Sequence, residues 1–153
     1  MEKVLEFGGY SARYCGRLFV QTGYSVSRVK SSPKPGWASK MAMNLFLDVE
    51  KHSLDSFRQD LLDSFDVVIV EANSADEAIN LGIEEWKDVI VVVITPFGLS
   101  GPRRNWKATS STLLAMGGYT QLMGDEGRTP LTLPGHYVEF QAAQYAYTAA
   151  TAC

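Results

Sequence analysis

Asp88-Val89-Ile90-Val91-Val92-Val93-Ile94-Thr95-Pro96-Phe97-Gly98-Leu99-Ser100-Gly101-Pro102 decides the fold. The run from Asp88 to Val93 is too apolar for a half-exposed strand and reads as a fully buried parallel one. Two glycines and two prolines then force turns where the strand ends. In open α/β sheets, ligands bind beyond the carboxyl ends of the strands. This loop is therefore the first candidate site.

Working outward, Lys3 to Phe7 reads as a first strand, broken by Gly8-Gly9. Helical spacing follows, with Tyr14, Leu18 and Phe19 on one face and Gly23 as the stop. Tyr24 to Val29 alternates as a second strand, and Ser31 to Ser39 reads as loop. Met43 to Asp48 is a third strand candidate. Ser53 to Ser64 has the spacing of an amphipathic helix, with Ser53 as N-cap and Phe57, Leu61 and Leu62 as its stripe. Asp66 to Glu71 is a fourth, buried strand; Ala75 to Leu81 is a short helix; Asp88 to Ile94 is the fifth strand. Beyond Pro102, Thr109 to Met116 reads as helix, Gly124 to Pro134 as a polar connection, and His136 to Cys153 as a helix rich in alanine and tyrosine. The alternation predicts an α/β fold: a Rossmann-like, mostly parallel twisted sheet flanked by helices, in a single domain over residues 1–153. The last helix stops while its pattern is still apolar, so either a partner covers it or the chain is a truncated N-terminal part; truncation is the expectation.

The chain has 153 residues, 46% of them hydrophobic and 20% charged, enough for a real core and ordinary for a globular protein. A net charge of −3 with scattered basic residues, densest at Lys30, Lys34 and Lys40, argues against nucleic acid as partner. No basic segment leads into a long apolar core at the N-terminus, and no apolar run reaches the roughly 18 residues of a membrane span. No membrane association is expected. Cys15 and Cys153 give neither a disulfide framework nor metal-ligand spacing, so no metal is expected, and a reducing, cytoplasmic setting fits.

Three places invite chemistry. Gly8-Gly9-Tyr10-Ser11-Ala12-Arg13 lies at the first strand-to-helix junction and reads either as a tight turn or as the seat of a nucleotide phosphate. It lacks the G-x-G-x-x-G fingerprint. Glu71 ends a buried strand and is either a ribose partner or a solvated strand end. His136 and Glu139 are three residues apart and share a helix face. They form either an acid-base pair or an exposed pair that suits a helix N-terminus.

Three stretches together resemble the family III CoA-transferases, the group of formyl-CoA transferase, carnitine CoA-transferase and α-methylacyl-CoA racemase. The first runs from Val4-Leu5-Glu6-Phe7 through Tyr14-Cys15-Gly16-Arg17-Leu18-Phe19 to Gly23-Tyr24-Ser25-Val26-Ser27-Arg28-Val29. The second, Phe97-Gly98-Leu99-Ser100-Gly101-Pro102, is similar to the family's G-F-G-x-x-G-P loop. The third spans Gly117-Gly118, Gly124 and Pro130 up to the helix at Glu139.

The resemblance implies a Rossmann-like domain that binds coenzyme A as acyl-CoA, with a carboxylic acid as acceptor. The ligand contacts implied by position are Tyr10, Ser11 and Ala12 in the first loop and Phe97, Gly98 and Gly101 after the fifth strand. Glu139 falls where the family carries its catalytic aspartate. Its carboxylate is expected to attack the thioester and form a mixed anhydride, in nucleophilic catalysis. Family members form interlocked dimers and continue well past this length, so a homodimer or association with a missing C-terminal part is implied, and the isolated piece is expected to be inactive. Four departures stand out: glutamate for aspartate at 139, Ala143 for a glycine, Ala108 where racemases carry a histidine, and Ala72-Asn73-Ser74 for an aromatic-basic-proline turn. They keep an alternative open, a degenerate, non-catalytic half that serves as a structural or CoA-binding module.

Overall fold

The computed structural model describes residues 2–30, 39–131 and 133–153. The loop expected at 31–39 lies almost wholly outside them. Five strands form one parallel sheet: β1 (Lys3–Phe7), β2 (Ser25–Val29), β3 (His52–Leu54), β4 (Val67–Glu71) and β5 (Ile90–Ile94), in the order β3-β2-β1-β4-β5. The helices are α1 (Tyr10–Gln21), α2 (Ser39–Asp48), α3 (Ala75–Ile79), α4 (Ser110–Met116) and α5 (Tyr137–Thr151). The α/β fold read from the sequence is therefore the fold observed. Among the described residues no helix is long and apolar enough to cross a membrane.

Strand alternation divides the core in two. Val4, Val67, Ile69, Val26 and β5's Ile90, Val92 and Ile94 face α1 and α5. Leu5, Val68, Val70 and β5's Val91 and Val93 face the other side, against Leu62, Ile83 and Trp86. Both faces of the sheet are covered, which is why β4 and β5 read as unbroken apolar runs. α1 and α5 pack through small side chains: Ala143, Ala146 and Ala150 share one α5 face and meet Ala12, Cys15 and Phe19. Burial, with the nearby Glu6 carboxyl second, pushes the Cys15 thiol up to about 12 and leaves it unreactive.

Three expectations are corrected. Met43 to Asp48 belongs to helix α2, not to a strand. The segment lacks β-branched residues, and the helical period brings Asn44 and Asp48 onto one face, where both bind Arg13. Ser53 to Ser64 is not one amphipathic helix. Its start is β3, with Ser53 paired to Arg28, and Gln59–Ser64 forms a short 3-10 turn; Ser53 caps nothing. Pairing to an edge of the sheet overrides local helical spacing there. Finally, β5 is parallel but not fully buried. It is an edge strand of the described sheet, opposite β3, and all five residues are half-buried.

One charged cluster is locked inside the α1 face. Lys51 Nζ bonds Glu6 Oε2 and Oε1 at 2.7 and 2.9 Å and the Arg13 carbonyl at 2.6 Å. Arg13 in turn holds Asp48 with two nitrogens, at 2.8 and 3.0 Å, and Arg28 reaches the same carboxylate at 2.6 Å. Gly16 makes the room: a Cβ there would lie 1.7 Å from Glu6 Oε2.

Candidate functional site

β1 and β4 are neighbours, yet the chain leaves them for opposite halves of the sheet. Their carboxyl ends flank the crevice where doubly wound folds bind ligands. Here Gly8-Gly9 opens α1, and Glu71 closes β4 against it. Gly8 has φ 125° and a Cβ on it would lie 2.5 Å from the Cβ of Glu71; a Cβ on Gly9 would lie 3.0 Å from Glu71 Oε1. The Ala12 amide donates to Glu71 Oε2 at 2.9 Å. Burial pushes the Glu71 carboxyl above the usual carboxylate range, and bonds from Ala12, Ser11 and Gly9 pull it partly back. The helix N-terminus that would suit an external anion thus already holds the protein's own carboxylate. Glu71 is neither a solvated strand end nor free to turn its bonded oxygen to a ribose.

Beside this contact lies a cleft of about 320 Å³. The carboxyl ends of β4 and β5 supply Glu71, Asn73, Thr95 and Pro96; α1 supplies Ser11, α4 Ser110, and α5 Glu139. Glu139 stands in the first turn of α5, where a carboxylate suits the helix dipole. Ser110 Oγ donates to Glu139 Oε1 at 2.7 Å. His136 Nδ1 lies 3.8 Å from the same oxygen, beyond hydrogen-bond reach. Glu139 Oε2 and Thr95 Oγ1 are buried and have no hydrogen-bond partner among the described residues. Buried polar atoms left bare are uncommon and mark functional positions often enough to single out this cleft.

Aromatic packing fixes the start of α5. Tyr10 lies on His136 with ring centroids 3.9 Å apart, and Tyr14 stacks on Phe140 at 4.4 Å. Ala143, one turn further on, is fully buried at the α1 contact. Among the described residues, the charged side chains lining the cleft are Glu71 and Glu139, with no lysine or arginine beside them. Lys107 lines an adjoining hollow of about 360 Å³ with Ser74 and Glu77, and Asn73 and Ala108 line both spaces.

Of the residues expected from sequence, Ser11 and Glu139 meet in the cleft, whereas Tyr10 does not line it and packs on His136 instead. The Ala12 amide is committed to Glu71. Phe97, Gly98 and Gly101 do not line the cleft. Phe97 packs edge-on against Trp106 at 6.1 Å, and the two glycines, at φ 77° and 88°, have open space around them. The part of that loop on the cleft wall is Thr95-Pro96 instead. Sequence reasoning also passed over Ser110. Its signal was present, since Thr109 is the N-cap of α4 and puts Ser110 in the first turn.

The family model for CoA-transferase family III matches residues 38–153. No curated protein matches the sequence. Among solved structures, a hypothetical protein from Mycobacterium tuberculosis superposes with a TM-score of 0.76 at 21% identity, over 99% of this chain and 48% of that one. A CAIB/BAIF family protein from Brucella suis gives a TM-score of 0.76 at 18% identity, over 99% of this chain and 47% of that one. This chain therefore spans about half the length of those structures, and at such identities the likeness is one of fold. With the family model covering most of the chain, this protein belongs to CoA-transferase family III.

Proposed function

We propose that the chain is the N-terminal, coenzyme A-handling domain of an acyl-CoA:carboxylate CoA-transferase, with Glu139 as nucleophile. The observation that carries this is the setting of Glu139: first turn of α5, on the wall of the cleft at the sheet's carboxyl edge, one oxygen hydrogen-bonded and the other bare. A carboxylate so held attacks the thioester carbonyl, the C–S bond breaks, and CoA leaves as thiolate. The thiolate then attacks the glutamyl carbonyl of the mixed anhydride, and the donor acid departs as carboxylate. The acceptor carboxylate next attacks the enzyme-bound thioester and expels the thiolate, which returns to the acceptor's acyl carbon and frees Glu139. No metal or redox partner enters this balance. The cytoplasm, where acyl-CoA is made and used, fits it.

The second reading, a non-catalytic module, draws on a different observation. The amide pocket at α1 is filled by Glu71, and among the described residues the cleft carries two carboxylates without a basic residue. One experiment separates the two. The chain is incubated with acyl-CoA and hydroxylamine, and Glu139 is examined by peptide mass spectrometry. A hydroxamate at Glu139 that disappears in Glu139→Gln supports the transferase. An unmodified Glu139 with saturating acyl-CoA bound supports the module. Calorimetry with Phe97, Gly98 and Gly101 variants tests whether that loop contacts the ligand outside the cleft.

A further inference from the structure

Glutamate reaches one methylene further than aspartate and has one more rotatable bond. Unrestrained, its carboxylate wanders over more positions than a nucleophile can afford, and misplacement by about an ångström costs on the order of 10²-fold in rate. In this chain the restraint has an identifiable source. Ser110 Oγ lies 2.7 Å from Glu139 Oε1, a short charge-assisted hydrogen bond. It is the only side-chain hydrogen bond to that carboxylate among the described residues, with His136 too far at 3.8 Å. Ser110 is itself held: it opens α4, and Thr109 caps that helix by accepting the Thr112 amide at 3.3 Å. Ser110 and Glu139 also line the same cleft, from α4 and α5.

We propose that Ser110 is a positioning residue for Glu139, fixing one carboxylate oxygen so that the other is left bare toward reaction. The proposal rests on the reading of Glu139 as nucleophile and adds to it the group that makes a glutamate workable there. The hydroxyl takes either oxygen equally well, so the arrangement survives a half-turn of the carboxylate. An aspartate at 139 would draw back from Ser110 by about the length of one methylene, beyond hydrogen-bond reach. Serine and glutamate therefore act as a unit, and their effects should not add.

Two measurements on the 153-residue chain test this. The first is the rate of hydroxylamine trapping at saturating acyl-CoA, alongside the dissociation constant of acyl-CoA. Ser110→Ala should slow trapping 10- to 100-fold, an order-of-magnitude expectation for lost positioning, with affinity unchanged. Ser110→Thr should restore it. Glu139→Asp should slow trapping in the wild-type background and add little in Ser110→Ala. The second measurement is the carboxyl-carbon resonance of Glu139, assigned through Glu139→Gln. Ser110→Ala should move it, whereas Ser111→Ala, on the same helix but off this cleft, should not. Trapping in Ser110→Ala as fast as in wild type overturns the proposal. So does a loss explained by weaker binding, or effects of Ser110→Ala and Glu139→Asp that multiply independently. An unmoved Glu139 resonance overturns it whatever the trapping rate. If the wild-type chain binds acyl-CoA and is never trapped, while the resonance moves in Ser110→Ala, the nucleophile reading falls and the Ser110–Glu139 restraint stands.

Discussion

The face built by α1 and α5 and the segment from 103 to 131 are opposites. On the first, Ala143, Cys15 and Ala12 are fully buried, aromatic pairs lock the helix start, and a buried Glu6–Lys51 pair sits beneath Gly16. On the second, α4 has no buried residue, and Trp106, Leu122 and Leu131 are 53%, 83% and 63% exposed. The cleft lies on the seam. Glu71 and Glu139 come from the packed side, Ser110 from the open one. Substitutions on the packed side should therefore cost folding, and those on the open side should cost geometry at Glu139 while sparing the fold.

The largest expected effect is at the buried pair. Lys51→Met removes the ammonium bonded to the Glu6 carboxylate, and removing one partner of such a pair costs about 3–5 kcal/mol. The double variant Glu6→Met/Lys51→Met should recover most of this, because two apolar groups of similar volume leave no buried charge to compensate. Urea midpoints measure both. Burial holds the Glu6 carboxyl at about 7, against the pull of Lys51. With its folded value raised, this group's contribution is full below its ordinary value near 4.5 and is lost as pH rises through about 7. The cost of Lys51→Met should thus be greater at pH 8 than at pH 5. A cost that does not change with pH, or one below about 1 kcal/mol as for surface pairs, breaks the contrast on its packed side.

Next in size is Ala143→Leu. Added methylenes in a filled helix contact cost about 1–3 kcal/mol. Ala143 sits one turn beyond Glu139 on the face that meets α1, so the variant should also disturb trapping at Glu139. Thermal and urea unfolding measure the first effect, hydroxylamine trapping the second. A stability loss without any change in trapping would show that the α1 contact does not hold the Glu139 turn.

How far the sequence carries this picture depends on period and on pairing. β1, β2, β4 and β5, and helices α1, α3, α4 and α5, follow from apolar runs, alternation and punctuation by Gly8, Gly23, Gly117 and Thr109, all local signals. Gly23 ends α1 at φ 93°, as a stop glycine should. α2 and β3 were misread, for different reasons. Met43 to Asp48 is a short, mostly apolar run that local reading takes for a strand, and the bonds of Asn44 and Asp48 to Arg13 show why their four-residue spacing is a helical face. Ser53 is drawn into a strand by pairing with β2, which no local pattern announces. At the site, Ser11 is legible from the strand-to-helix junction at Gly8-Gly9, and Glu139 from its spacing to His136 and the family resemblance. Thr95 and Ser110 become functional candidates only once β5 and α4 are brought beside α5. Glu71 reads locally as a ribose partner or a solvated strand end, and its actual place, against the N-terminus of α1, needs the third dimension.

A smaller effect, of opposite sign, is expected at Thr95. Its hydroxyl is buried without a partner among the described residues, a state that costs stability. Thr95→Val keeps the shape and removes the orphan, so the chain should gain about 1 kcal/mol by urea unfolding. A loss instead would mean that the hydroxyl is bonded in solution, and that the cleft wall at β5 is less bare than its neighbour Glu139 Oε2.

The smallest effect sharpens the open side of the contrast. Leu122, 83% exposed, has little apolar surface left to lose on folding, so Leu122→Ser should change stability by no more than about 0.5 kcal/mol. The value of this variant lies in its silence. Leu122 follows α4 by one turn of 3-10 helix that begins at Tyr119, and α4 carries Ser110. If the open segment is held only by its own short turns, a polar residue at 122 leaves both the fold and the Ser110–Glu139 bond untouched. A loss above about 1 kcal/mol would require Leu122 to be covered in solution, since exposed leucines do not contribute on that scale. The segment from 103 to 131 would then be a packed surface in its own right, and the cleft would have two firm walls instead of one.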